Sequence, residues 1–299
     1  MVNPTRDTTA GRVYNDLRNS ARRAKRSTDE VMIEYVLERF LYRLATSPAG
    51  GTNFVLKGGL LLAQFGARRT TRDIDILGQA FSGDDAEIVR RITEIAGTEV
   101  DDGVLFDAAN LKTVPIREDG RYHGLRLVMP ASIARARLKL QLDVSLGDPV
   151  TPEPQLIDYQ QLLSSETFSI LGYPLATVIA EKLSTAIELG DLNTRDRDYG
   201  DLYRLLRSNA FGADEIWTAL ATTAAYRGIT LRPLSSVIAD LPQQRQSSYA
   251  AWLRRQGSAA SGYPTDFTDT VALVAAFADP LIRGEAQRRK WDSGHGQWN

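Results

Sequence analysis

The sequence predicts an α+β fold in which a mixed region of helices and strands is followed by a helical region. Three observations lead to this prediction. Apolar residues recur at helical spacing from Val13 to Ala45, aliphatic runs typical of strands continue to Val144, and helical spacing dominates from Leu175 onwards. We place the boundary in a weakly patterned stretch, which gives an N-terminal domain of residues 1–165 and a helical C-terminal domain of residues 166–299.

The composition is that of a globular protein, and it excludes several kinds of site. The chain has 299 residues, of which 43% are hydrophobic and 24% charged. It has no cysteine and two histidines, so thiolate ligands, cysteine nucleophiles and histidine-rich zinc sites are excluded. No long apolar run and no signal peptide can be read, so we expect a cytoplasmic protein. Because the net charge is −1, any contact with a polyanion must be local.

The first predicted elements are a long helix and a short strand that ends in two glycines. The helix contains the potential capping residues Ser27–Glu30, and Phe54–Leu56 is predicted to be a buried strand. Gly58 and Gly59 follow the strand, and Leu60–Phe65 is predicted to be a short helix. Glycine lets the backbone approach a phosphate, and the start of a helix offers free N–H groups to it.

Two carboxylates open the next strand. Residues two apart on a strand face the same side, so Asp73 and Asp75 project together while Ile74 points into the core. Two close carboxylates repel each other unless a cation neutralises them, and Mg²⁺ prefers oxygen ligands. An Asp-x-Asp pair also fits a solvated edge strand, but the preceding strand and glycine pair favour a metal site.

A further aspartate lies on the last of four more predicted strands, which are Val104–Phe106, Leu111–Ile116, Gly124–Met129 and Leu138–Val144. On that strand the leucines face one way. Lys139, Gln141 and Asp143 face the other, solvated side, where a site would lie.

The helical region contains a second group of charged residues. Lys182 is in the middle of a predicted helix and follows apolar residues, which suits either an inward phosphate ligand or a surface lysine with a buried stem. Asp198 and Asp201 are three residues apart and share a helical face, although Asp198 also fits a helix N-cap. The terminal segment Ser293–Asn299, which contains His295, is expected to be disordered.

The order of strand, glycine pair, short helix and Asp-x-Asp strand resembles the opening of a polymerase-β type nucleotidyltransferase domain, which implies a mixed sheet. The wider set of segments resembles the AbiEii toxin family of nucleotidyltransferases from toxin–antitoxin systems, which includes the mycobacterial MenT-type toxins. The segments that carry the resemblance are Leu37–Leu44, Phe54–Leu62, Thr71–Asp75, Leu142–Asp148, Glu181–Leu183 and Asp198–Leu202.

This resemblance implies roles for individual residues. Asp73, Asp75 and Asp143 would bind Mg²⁺ or Mn²⁺, as three carboxylates suit a two-metal mechanism. The residues expected to contact the NTP are Lys57, Gly58, Gly59, Thr71 and Lys182. Asp198 and Asp201 fall in the last motif of the family, in which an aspartate is needed for activity. The family commonly has an arginine near the position of Gly190; here either Arg195 or Arg197 replaces it, or that role is absent.

The resemblance also implies an acceptor and a partner. We expect transfer of a nucleotide to RNA, the tRNA 3′ end above all, and a cognate antitoxin, which in some relatives silences the toxin by phosphorylating a hydroxyl residue near Thr71. The alternatives are a small-molecule or protein acceptor, or a nucleotide-binding regulator without activity. RNA would need basic residues on its approach, and the candidates are Arg22, Arg23, Lys25 and Arg26, with Arg68, Arg69 and Arg72 closer to the acids.

Overall fold

The computed structural model describes residues 4–67, 71–81, 84–118 and 122–299. The chain forms two compact units. The first comprises Met1–Leu60, Thr71–Gly147 and Gln155–Gly172, and the second comprises Leu61–Thr70, Asp148–Pro154 and Tyr173–Asn299. Within the described ranges, no helix is long and apolar enough to cross a membrane.

A mixed eight-stranded sheet is the centre of the first unit. The elements of the whole chain up to Gly172, in order, are α1 (Thr9–Ala24), α2 (Thr28–Thr46), β1 (Phe54–Lys57), α3 (Gly58–Gln64), β2 (Ile74–Gly78), α4 (Asp85–Ala96), β3 (Val104–Phe106), β4 (Lys112–Glu118), β5 (Tyr122–Ile133), β6 (Ala136–Leu146), β7 (Gln155–Gln160) and β8 (Thr167–Gly172). The strand order is β3-β5-β6-β2-β1-β8-β7, with β4 also paired to β5. Strands β2 and β6 are parallel, as are β1 and β8, whereas the other neighbours are antiparallel. The predicted fold class is therefore confirmed.

One face of the sheet is apolar and is covered by helix α2. On β5 and β6 the alternate residues Leu127, Leu140 and Leu142 are buried. Phe106 on β3 pairs with a β5 residue that belongs to this apolar face. The ring of Phe106 contacts the ring of Phe40 on α2, with 5.9 Å between the ring centroids. Because α2 packs against this face, the polar residues at the alternate positions project from the other one.

One local prediction needs correction in this unit, and one stretch without a clear sequence pattern is a strand. The single long helix is two helices, because Lys25 adopts a left-handed conformation with φ of 52° and the chain is extended at Ser27. The break lets α1 pack against α2, which one continuous helix could not do. The weakly patterned stretch after Pro154 is strand β7, which buries Ile157 and Tyr159 and pairs with β8. The predicted domain boundary at residue 165 falls in the turn between these two strands.

The second unit is helical, as predicted, but its C-terminal segment is ordered. Its helices are α5 (Leu175–Leu189), α6 (Asp196–Ser208), α7 (Ala213–Arg227), α8 (Leu241–Arg255) and α9 (Phe267–Ile282). A short hairpin of β9 (Trp291–Asp292) and β10 (Gln297–Trp298) follows. The indole N–H groups of Trp291 and Trp298 donate to the carbonyls of Leu206 and Phe277 at 2.8 and 2.9 Å. Burial of these two indoles therefore anchors the segment that we expected to be disordered.

Candidate active site

Four charged residues form a row across the polar face of the sheet. Lys57 pairs with Asp75, Asp75 with Asp143, and Asp143 with Arg126 in the strand register of β1, β2, β6 and β5. Side chains directly opposite each other on adjacent strands project from the same face. The row therefore places two carboxylates side by side, with a lysine at one end and an arginine at the other.

Asp73 adds a third carboxylate to this row. It lies two residues before Asp75, at the start of β2. One carboxylate oxygen from each of Asp73, Asp75 and Asp143 can be chosen so that all three lie within 4.8 Å of one another, and the three residues are half-buried. Oxygen ligands at this spacing fit a hard divalent cation such as Mg²⁺ or Mn²⁺, which would offset the mutual repulsion of the acids. The structure thus brings together the three residues predicted to bind metal.

Gly58 makes room for the carboxylate of Asp75. Its φ is +69°, and a Cβ atom built on it would lie 1.9 Å from Oδ2 of Asp75 and 2.6 Å from its Cγ. Any side chain at this position would meet both a conformational penalty and a direct clash. Glycine is therefore required here to seat the carboxylate of Asp75.

Arg126 is a member of the site that the sequence did not reveal. Its Nε donates to Oδ1 of Asp143 at 2.7 Å and its Nη2 donates to Oδ2 at 2.6 Å. These hydrogen bonds raise the pKa of Arg126, and attraction to Asp73 and Asp75 adds to the effect. The guanidinium therefore orients Asp143 and offsets part of the negative charge of the carboxylates.

The second predicted cluster is a buried ion-pair network in the helical unit. Nζ of Lys182 lies 2.6 Å from Oδ1 of Asp198 and 2.9 Å from Oδ2 of Asp201, and the Asp201 side chain is fully buried. Nε of Arg195 donates to the other oxygen of Asp198 at 2.8 Å. Burial opposes ionisation of Asp198, but attraction to Lys182 and Arg195 outweighs it and lowers the pKa of Asp198 well below its usual range.

These contacts distinguish between the alternatives for Lys182 and for Asp198. Lys182 is not a surface lysine, because its side chain is only 14% exposed. Asp198 is not the N-cap of α6, since the helix begins at Asp196 and Arg195 occupies the capping position. Of the two arginines offered as replacements near Gly190, Arg195 reaches the cluster, whereas Arg197 is exposed.

The other predicted residues are placed as follows. Lys57 ends β1, Gly59 lies in the first turn of α3, and Thr71 lies two residues before Asp73. Arg68 and Arg69 lie outside the described residues. Arg26 is bound by two glutamates, Glu30 at 2.6 Å and Glu34 at 2.7 Å.

A family model matches most of the chain. Residues 39–279 match the family model described as "Nucleotidyl transferase AbiEii toxin, Type IV TA system". The chain belongs to this AbiEii nucleotidyltransferase family. Membership confirms the resemblance seen in the sequence, and it implies nucleotide transfer, an NTP substrate and a cognate antitoxin. None of the curated proteins matches the sequence.

Solved structures show the same fold at low sequence identity. A crystal structure of a candidate nucleotidyltransferase from H. pylori aligns with a TM-score of 0.51 and 15% identity, and covers 87% of this chain and 97% of its own. The crystal structure of JHP933 from Helicobacter pylori aligns with a TM-score of 0.50 and 15% identity, and covers 87% and 94% of the two chains. At this identity the likeness concerns the fold alone.

Proposed function

We propose that this AbiEii-family protein is a divalent-metal-dependent nucleotidyltransferase that transfers a nucleotide from an NTP to RNA, with the tRNA 3′ end as the expected acceptor. Such transfer would block translation, and it would take place in the cytoplasm, where NTPs and tRNA are found together. The observation that supports the proposal most is the convergence of Asp73, Asp75 and Asp143 on one face of the sheet.

The reaction follows from the placement of these carboxylates. They would hold Mg²⁺ or Mn²⁺, and the bound ion would lower the pKa of the acceptor hydroxyl and neutralise charge on the triphosphate. The acceptor hydroxyl would lose its proton to solvent water, and its oxygen would form a bond to the α-phosphorus. The bond from this phosphorus to the oxygen that bridges it to the β-phosphate would break, and pyrophosphate would leave. Arg126 keeps Asp143 oriented toward the other two acids. We propose Lys57, Gly58, Gly59 and Thr71 as NTP contacts, because they lie at the end of β1 and just before β2, beside Asp73 and Asp75.

The role of Lys182 in nucleotide binding stays a proposal that rests on the family resemblance. Its ammonium group already contacts two carboxylates, so a phosphate would have to compete with Asp198 and Asp201. The same contacts give Lys182 a structural role, because they join helices α5 and α6. A test of nucleotide binding at Lys182 must therefore control for stability.

The proposed function can be tested by labelling. The protein is incubated with each α-³²P-labelled NTP, Mg²⁺ and total RNA, and RNA is then separated from protein. We expect label in RNA with the wild type and none with Asp73→Ala or Asp75→Asn. Both variants should keep or slightly gain stability, because each removes one of several crowded charges. Asp158→Asn is the matched control, since it removes an exposed carboxylate from β7, far along the same sheet.

Two other outcomes of the labelling would change the proposal. Label in protein or in a small molecule instead of RNA would show that RNA is not the acceptor. The proposed nucleotidyl-transfer reaction would still hold. Near-wild-type labelling by Asp75→Asn at saturating Mg²⁺ would show that the carboxylates do not bind the catalytic metal.

A further inference from the structure

The polar face of the sheet continues past the carboxylates into a group of exposed basic residues. On β6, Lys139 and Arg137 lie four and six residues before Asp143 and project from the same face, because residues two apart on a strand share a side. Lys112 on β4 pairs with Val128 of β5, which lies two residues from Arg126 on this face. We call Lys112, Arg137 and Lys139 the basic strip.

The basic strip differs from the other basic residues around it. All three residues are exposed, and none forms an ion pair with a residue that the structure describes. Arg126, by contrast, is held by Asp143. Arg135 points away from the strip, because its Nε donates to the hydroxyl of Tyr14 on α1 at 3.1 Å. The strip therefore presents positive charge to solvent on the face of the sheet that carries the carboxylates.

The distance between the basic strip and the three carboxylates suits a polyanion whose end reaches the carboxylates. Strand geometry puts Lys139 about 13 Å and Arg137 about 20 Å from Asp143, which corresponds to about four and six nucleotides along a helical strand. The three phosphates of a nucleoside triphosphate are contiguous and would bind beside the carboxylates, so an NTP has no further phosphate to place at Lys139 and Arg137. An RNA backbone matches both the sign of the charge and the length.

We propose that the basic strip binds the phosphate backbone of the RNA acceptor and directs its end to Asp73, Asp75 and Asp143. This inference deepens the proposed function and rests on it for the identity of the acceptor. The strip, and not the basic group of α1, is then the surface that the acceptor uses. Arg26 of that group is already paired with Glu30 and Glu34 on α2, the helix that covers the opposite face of the sheet.

The test compares two double charge reversals. Arg137→Glu with Lys139→Glu alters the strip, and Arg22→Glu with Arg23→Glu makes the same change in net charge on α1. Binding of 5′-fluorescein-labelled bulk tRNA is measured by anisotropy between about 50 and 200 mM salt. Loss of two phosphate contacts should make the slope of log K against log salt shallower by about 2 for the strip variant. Raising the salt from about 50 to 200 mM should then weaken tRNA binding by the wild type about 16-fold more than tRNA binding by this variant.

A second arm varies the length of the acceptor. A dinucleotide spans about 7 Å and does not reach Arg137, whereas tRNA does. The strip variant should therefore label tRNA poorly and label a dinucleotide as the wild type does. Thermal unfolding and Mn²⁺ binding, measured on both variants, show whether the fold and the metal ligands are intact.

The outcomes separate the strip from the proposed function. If the wild type binds tRNA through the strip but labels no RNA, the strip is supported and the acceptor of the reaction is wrong. If the strip variant binds and labels tRNA as the wild type does, the inference is wrong, and an acidic protein partner becomes the better occupant. If only the α1 variant loses tRNA binding, the acceptor uses α1 and the inference is again wrong.

Discussion

Replacement of Gly58 by alanine tests the link between backbone conformation and the proposed metal ligand Asp75. The φ of +69° costs a residue with a side chain about 1–2 kcal/mol relative to glycine. The new Cβ would also lie 1.9 Å from Oδ2 of Asp75, well inside contact distance, so the two must move apart by about 1 Å or more. Misplacement of a reacting group by about 1 Å costs about 100-fold in rate. We therefore expect Gly58→Ala to unfold at a modestly lower denaturant concentration than the wild type and to lose about 99% of the transferase activity.

A second glycine provides a matched control. Gly228, at the end of α7, has a φ of +65°, and no atom lies within 4 Å of a Cβ built there. Gly228→Ala therefore has the same backbone cost without the clash, and it should lose stability but keep its turnover and its Mn²⁺ affinity. Urea unfolding, Mn²⁺ binding and NTP incorporation are measured on both variants. Equal turnover and equal Mn²⁺ affinity of the two variants would refute the reasoning that Gly58 seats Asp75.

Three further perturbations test the charges. Arg126→Gln removes a cation from beside Asp143, so Mn²⁺ should bind more tightly, on the order of tenfold, as isothermal titration would measure; weaker binding would mean that orientation of Asp143 matters more. Burial raises the pKa of Glu38, on α2, to about 7. Between about pH 4.5 and 7 this carboxyl group is therefore protonated in the folded state and ionised in the unfolded state. Wild-type stability should therefore fall by up to ~3 kcal/mol as pH rises through that window, and urea unfolding of Glu38→Gln should lack this fall. Lys182→Met removes the ammonium group from between two buried carboxylates and should cost ~3–5 kcal/mol at pH 7, with partial recovery on adding Asp198→Asn; an unchanged melting temperature in Lys182→Met would show that the pairs contribute little.

The carboxylates of the site could be predicted because strand periodicity is a local property. Alternation alone put Asp73 and Asp75 on one face and Asp143 on the solvated side of its own strand. The closeness of Asp143 to the other two depends on the parallel pairing of β2 with β6, which the sequence suggested only through its family resemblance.

The parts that could not be predicted depend on contacts between distant residues. Arg126 belongs to the site because the β5–β6 register sets it opposite Asp143, and a shift of one residue would have turned it into the core. The ion pairs of Lys182 depend on the packing of two helices. The ordered terminal hairpin depends on indoles that reach carbonyls 85 and 21 residues away. Local patterns do not contain such information.

The central claim, that three carboxylates direct nucleotidyl transfer, is tested most directly by the position of the label. Parallel reactions contain Mg²⁺, total RNA and one NTP labelled with ³²P at either the α- or the γ-phosphate. Attack at the α-phosphorus should leave label in the acceptor from the α-labelled NTP and none from the γ-labelled one, and Asp75→Asn should abolish both the label and the release of pyrophosphate. Label retained from the γ-phosphate, or transfer that persists in Asp75→Asn, would contradict the claim.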